Sequence, residues 1–128
     1  MARCDWGHLC DYAFFDNGGK LCLIGLFQNI FTQRVPTSHT RSAFVFSVSG
    51  AENEKVTVQV KLERPDGKDP LLDTGPSEFN LGERASMLQV FGMDNLPLPD
   101  FGPYEIRVFI NGENAHTLTF HVMRPPER

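Results

Sequence analysis

At 128 residues, the chain is the size of one domain and long enough to bury a core without disulfides or metal. Its 41% hydrophobic and 22% charged residues exclude a disordered or low-complexity chain. A formal net charge of −4, scattered basic residues and no apolar run of membrane-spanning length argue against a nucleic-acid surface and against membrane insertion.

In the opening segment, Asp5 and His8 fall where a secretory signal would be continuously apolar. An odd count of three cysteines suits a reducing compartment. A cytoplasmic location is therefore expected. Residues 9–31 read as two strands joined by the turn Asp16-Asn17-Gly18-Gly19, both apolar on each face. Such a turn sets Cys10 near Gly25 or Leu26 and Cys22 near Ala13 or Phe14. Their sulfurs are then too far offset along the ladder to form a disulfide.

Phe44, Phe46 and Val48 alternate with Ser47 and Ser49 in a next strand, and Val56 to Leu62 alternates apolar and polar without a break. Pro65-Asp66-Gly67 ends that strand in a turn. A loop at 73–77 and a short strand at 78–81 follow, and then residues 85–93, apolar on both sides. Pro97 and Pro99 keep 96–100 out of any central strand. The closing hairpin runs from Tyr104 to Ile110 and from Ala115 to Met123. A plain Asn111-Gly112 turn would set apolar residues opposite polar ones. A three-residue loop or an equivalent bulge is expected instead, with Ile106 opposite Leu118, His116 facing inward opposite Val108, and Phe109 facing out.

The pattern predicts a single all-β domain over 1–128: an antiparallel two-sheet sandwich of immunoglobulin-like type with seven to eight strands. The terminal residues 124–128 are expected to fray.

No catalytic set stands out. There is no G-x-S-x-G around Ser38-His39, and no helix follows Gly18-Gly19 to make a phosphate loop. Cys4, His8 and Cys10 have metal-type side chains without a fourth ligand. Asp66, Asp69 and Asp73 have calcium-loop composition without its spacing. No cofactor is expected. Asp11 sits in an apolar run and is read as a structural carboxylate that finds a partner at the sheet edge. The surplus apolar residues form the main lead. Leu21, Leu23, Phe27 and Phe31 are assigned to one side of the second strand and marked as an interaction face. That face must be covered by residues 94–103 or by another subunit.

Cys10-Asp11-Tyr12-Ala13, Asp16 and Gly19-Lys20-Leu21-Cys22-Leu23-Ile24-Gly25-Leu26-Phe27 resemble the opening pattern of an uncharacterised bacterial family. Pro65-Asp66-Gly67 and Gly102-Pro103-Tyr104 extend the resemblance over most of the chain. It implies no activity. Residues 102–112 also resemble the closing hairpin of immunoglobulin-like domains. The expected function is a non-enzymatic binding or assembly module for a protein partner or a second copy. A small-ligand or metal-binding sandwich is the alternative, and an enzyme is the second alternative.

Overall fold

The computed structural model describes residues 1–126. It contains twelve strands: β1 (Arg3–Phe15), β2 (Leu21–Leu26), β3 (Asn29–Phe31), β4 (Thr37–His39), β5 (Ala43–Ser49), β6 (Lys55–Glu63), β7 (Leu72–Asp73), β8 (Ser77–Asn80), β9 (Ser86–Gly92), β10 (Leu96–Leu98), β11 (Gly102–Ile110) and β12 (Glu113–Met123). Eight of them have four or more residues. Of the four shorter ones, β4, β7 and β10 lie at or near prolines, and β3 falls at the end of the expected second strand. Of the expected tail, residues 127 and 128 lie outside the described residues. Arg124 is within them and stands over the Phe101 ring, 4.8 Å from its centroid.

Two large sheets face each other. Sheet A has the order β2-β1-β5-β9, and sheet B the order β3-β12-β11-β6-β7, with β8 also on β6. β10 and β4 form a separate ribbon. All pairings are antiparallel except that of β3 with β12. One apolar core joins the sheets. Leu9, Phe44, Phe46 and Val48 come from sheet A, and Val56, Val58, Val60, Leu62, Tyr104, Ile106, Val108, Ile110, Phe120 and Val122 from sheet B. Tyr104 stacks on Phe120, with ring centroids 5.2 Å apart. Its hydroxyl donates to the Asp100 carbonyl at 2.7 Å and accepts the Asp100 N–H at 3.0 Å. A fully buried phenol is thereby satisfied.

The closing hairpin solves its register with a bulge. Asn111 and Gly112 both adopt positive φ, 52° and 82°, and make the two-residue turn. Ile110 then faces Glu113 and Phe109 faces Asn114, but Val108 faces His116, so Ala115 is the extra residue. That single insertion sets Ile106 opposite Leu118 and keeps the apolar residues on the core side. His116 is half-buried and comes up against Gly7.

Candidate functional site

The outer face of sheet A is assembled from three rows. Trp6, Ser47 and Leu88 lie side by side across β1, β5 and β9. So do His8, Val45 and Val90, and then Cys10, Ala43 and Gly92. Cys10, Ala43 and Val45 form a second apolar cluster, separate from the main core, with Trp6, Ala13, Leu21 and Leu23 packed against it. Val45 and Cys10 are fully buried although they lie on the outside of the sheet. The Trp6 and His8 rings lie side by side, tilted by 30° with centroids 5.3 Å apart. Beyond the end of β5, the β1–β2 hairpin continues the apolar surface. Tyr12 is exposed there, as are Ile24 at 54% and Leu26 at 61%. Arg41 lies over the Tyr12 ring, 5.4 Å from its centroid.

A bulge at Asp5 creates this face. Cys4 faces Val48, but Trp6 faces Ser47, so two residues of β1 stand against one of β5. Asp5 is turned outward, where it accepts hydrogen bonds from Ser49 Oγ at 2.9 Å and Ser47 Oγ at 3.3 Å and pairs with Arg3 at 3.0 Å. The same shift separates the metal candidates. Cys4 packs on the main core, Cys10 belongs to the outer cluster and His8 is exposed. Even spacing in a regular strand would have put all three on one face. Burial raises the Cys4 thiol from 9.0 to about 11 and also raises Cys10. All three cysteines are free.

The acidic candidates are engaged elsewhere. Asp66 pairs with Arg64 at 3.2 Å and accepts the Lys68 N–H. Asp73 accepts Gln59 Nε2 at 2.7 Å and the Gly75 N–H, and the Gln59 bond foremost holds its carboxyl below the usual range. Asp69 is exposed. Among the described residues, no three His, Cys, Asp or Glu side chains are grouped to hold a metal. Asp11 is exposed and lies 3.9 Å from His39, so it is a surface carboxylate and not a buried one.

The interaction face expected on Leu21, Leu23, Phe27 and Phe31 is divided. Leu21 and Leu23 pack on the outer cluster, Phe27 packs on the main core, and Phe31 is 53% exposed. The cause is topological. The chain leaves sheet A after Leu26 and joins sheet B at Asn29, which breaks the alternation. Residues 94–103 are not the cover. Leu96 and Leu98 are buried in the main core, and Phe101 packs against it. Val45 and Ala43 add a second apolar side to β5 that the alternation of Phe44, Phe46 and Val48 with Ser47 and Ser49 conceals. The unbroken apolar run Ala43-Phe44-Val45-Phe46 was the available signal.

Between β2 and β3 lies an open groove of about 720 Å³, lined by Gly7, His8, Leu9, Leu26, Phe27, Gln28, Asn29, Phe31 and Leu118. His8 is the one ionisable side chain among the lining residues. No helix of the described residues is long and apolar enough to cross a membrane.

Residues 5–123 match a family described as being of unknown function (DUF6941). No curated protein matches. Among solved structures, the chain is similar to a Pseudomonas fluorescens alkylpurine DNA glycosylase, AlkC, bound to DNA containing an abasic site analog. The identity is 17% and the TM-score 0.50, over 76% of this chain. The match spans 27% of that chain, about a quarter of its length. It is a likeness of fold. It nevertheless corrects the exclusion of nucleic acid drawn from charge, because a similar fold occurs within a DNA-bound protein. A net charge averages over the whole surface and does not describe any one face.

Proposed function

Because this chain belongs to the family of unknown function DUF6941, its role rests on its own surface, and we propose that it is a non-enzymatic binding and assembly module that works through sheet A. In this reading the fold is an immunoglobulin-like sandwich, with the buried Tyr104 hydroxyl tied to Asp100 as its corner. Three free thiols accord with a cytoplasmic setting. The observation that carries the reading is the apolar outer face itself. Leu88 and Val90 on β9 and Tyr12, Ile24 and Leu26 on the β1–β2 hairpin are exposed, around a cluster in which Leu21 and Leu23 pack against Val45. Contiguous apolar surface of this kind marks an interaction site on a soluble domain. The open groove supports binding over acid–base chemistry, since a general acid and base pair would need more than His8.

Site-specific photocrosslinking in living cells tests this. A photoreactive residue is placed at Ile24, Leu26 or Leu88 on sheet A, and at Thr119 on the outside of sheet B. Crosslinks from the sheet A positions and none from Thr119 support the reading. Crosslinks from Thr119 alone, or none from sheet A, overturn it.

A further inference from the structure

We propose that the free edge of β9 pairs with β9 of a second copy of this chain, antiparallel about a two-fold axis at Gln89. The proposal deepens the sheet A reading and rests on it. β9 is the terminal strand of sheet A. Its seven residues, Ser86-Met87-Leu88-Gln89-Val90-Phe91-Gly92, carry neither a charge nor a proline, and they pair with β5 in unbroken register. An edge of that kind is an unguarded template for another strand. The other edges are blunted. β3 has three residues and β7 two. β8 has four residues and carries Glu78, while β2 is kinked at Gly25, where φ is 73°.

The backbone fixes which groups are free. The Met93 N–H bonds to the Ser42 carbonyl at 2.8 Å, and the Gly50 N–H to the Ala85 carbonyl at 2.9 Å. Alternation along an antiparallel ladder then directs positions 87, 89 and 91 toward β5 and turns the N–H and C=O groups of Ser86, Leu88, Val90 and Gly92 outward. These four positions are self-complementary. A two-fold at Gln89 sets Ser86 opposite Gly92 of the second copy and Leu88 opposite Val90, each as a hydrogen-bonded pair.

The side chains agree on both faces. On the outer face, Leu88 meets Val90 of the second copy twice by symmetry and extends the apolar rows across the junction. On the inner face, Met87 meets Phe91, a sulfur–aromatic pair. Gln89 meets Gln89 of the second copy, amide to amide, whereas in one copy its Nε2 reaches only the Met87 sulfur, at 3.7 Å. A cleft of about 150 Å³ lined by Phe46, Val58, Val60, Phe79 and Phe91 opens beside this edge and gives the inward side chains an apolar wall.

The test uses the full chain. Sedimentation equilibrium is expected to give twice the 14.4 kDa chain mass. Val90→Lys is expected to raise the dissociation constant roughly tenfold or more, because both symmetric Leu–Val pairs are lost, with the circular dichroism spectrum unchanged. Gln89→Cys is expected to crosslink two copies under mild oxidation, since residues facing each other in a non-hydrogen-bonded pair lie within disulfide reach. Wild type and Ile24→Cys serve as controls. A monomer at every concentration, a Val90→Lys dimer as tight as wild type, or equal crosslinking through Ile24→Cys overturns the pairing. A monomer that binds a fluorescent oligonucleotide or a foreign protein through sheet A overturns it too, and leaves the binding reading standing.

Discussion

The outer faces of sheets A and B are built from strands of similar length and serve opposite ends. On sheet B, Glu63 faces Glu105, Lys61 faces Arg107 and Gln59 faces Phe109. Arg107 pairs with both glutamates, at 3.6 and 3.3 Å, and Lys61 covers the Phe109 ring. Along β6 and β11 the outward side chains are thus charged or polar, with Phe109 lying under Lys61. On sheet A the corresponding rows hold Trp6, Val45, Val90 and Leu88, and Val45 has no solvent exposure at all. A sheet needs one dry face to fold, and sheet A has two. The second is a smaller cluster packed by Trp6, Ala13, Leu21 and Leu23 and bordered by exposed Leu88 and Val90, and that apolar border is the part to examine for function.

The sharpest way to break that contrast is Val45→Thr. The substitution preserves shape and places a hydroxyl in the outer cluster, and a buried hydroxyl without a partner costs about 1–3 kcal/mol. On sheet B, Thr119→Val makes the reverse change on an exposed position and is expected to stay within about 0.5 kcal/mol. Urea unfolding of the two variants measures both. Equal effects would mean that the two outer faces are equally wet.

Alkaline titration compares the dry layers with each other. Burial lifts the Cys4 thiol from 9.0 to about 11, and burial lifts Cys10 as well. The folded chain therefore holds protons that the unfolded chain releases. Stability is intact below pH 9 and falls as the pH rises toward 11. Cys4→Ala is expected to flatten this fall from the core side, and Cys10→Ala from the outer cluster. If Cys10→Ala leaves the slope unchanged, the outer cluster admits water and sheet A is less unusual than its packing indicates. Alkylation with iodoacetamide reads the burial directly, with the fully buried Cys10 expected to react last.

Much of the architecture was legible in the residues. Val56 to Leu62, Tyr104 to Ile110 and Leu118 to Val122 alternate as half-buried strands, and each lies where the pattern puts it. The hairpin cysteines stand opposite Leu26 and Phe14, as the turn required. What the pattern concealed came from single-residue events. The bulge at Asp5 divides Cys4 from Cys10, and the bulge at Ala115 restores a register that the Asn111-Gly112 turn would have inverted. The crossing from β2 to β3 divides a row of leucines and phenylalanines between two clusters. Alternation is local and these events depend on the partner strand, so no reading of one strand alone contains them. The outer face of sheet A depends on three strands from distant parts of the chain. Its β9 residues, Leu88 and Val90, announced a second apolar side, and the run Ala43-Phe44-Val45-Phe46 carried the same signal in β5.

The smallest effect belongs to the charged face and is informative because it depends on salt. Arg107 stands between Glu63 and Glu105, which lie directly opposite each other on neighbouring strands. Arg107→Met keeps an apolar stem of similar length and removes the charge, so two carboxylates are left facing each other. Like charges in that position repel. The loss expected from urea unfolding is about 0.5–1 kcal/mol at low ionic strength, the scale of a partly exposed ion pair. It should fade as salt is added, because solvated charges are screened within about 10 Å at 0.1 M. A loss that salt leaves unchanged would mean that Arg107 acts through packing. Sheet B would then have a second packed face as well, and the apolar exterior of sheet A would no longer set it apart.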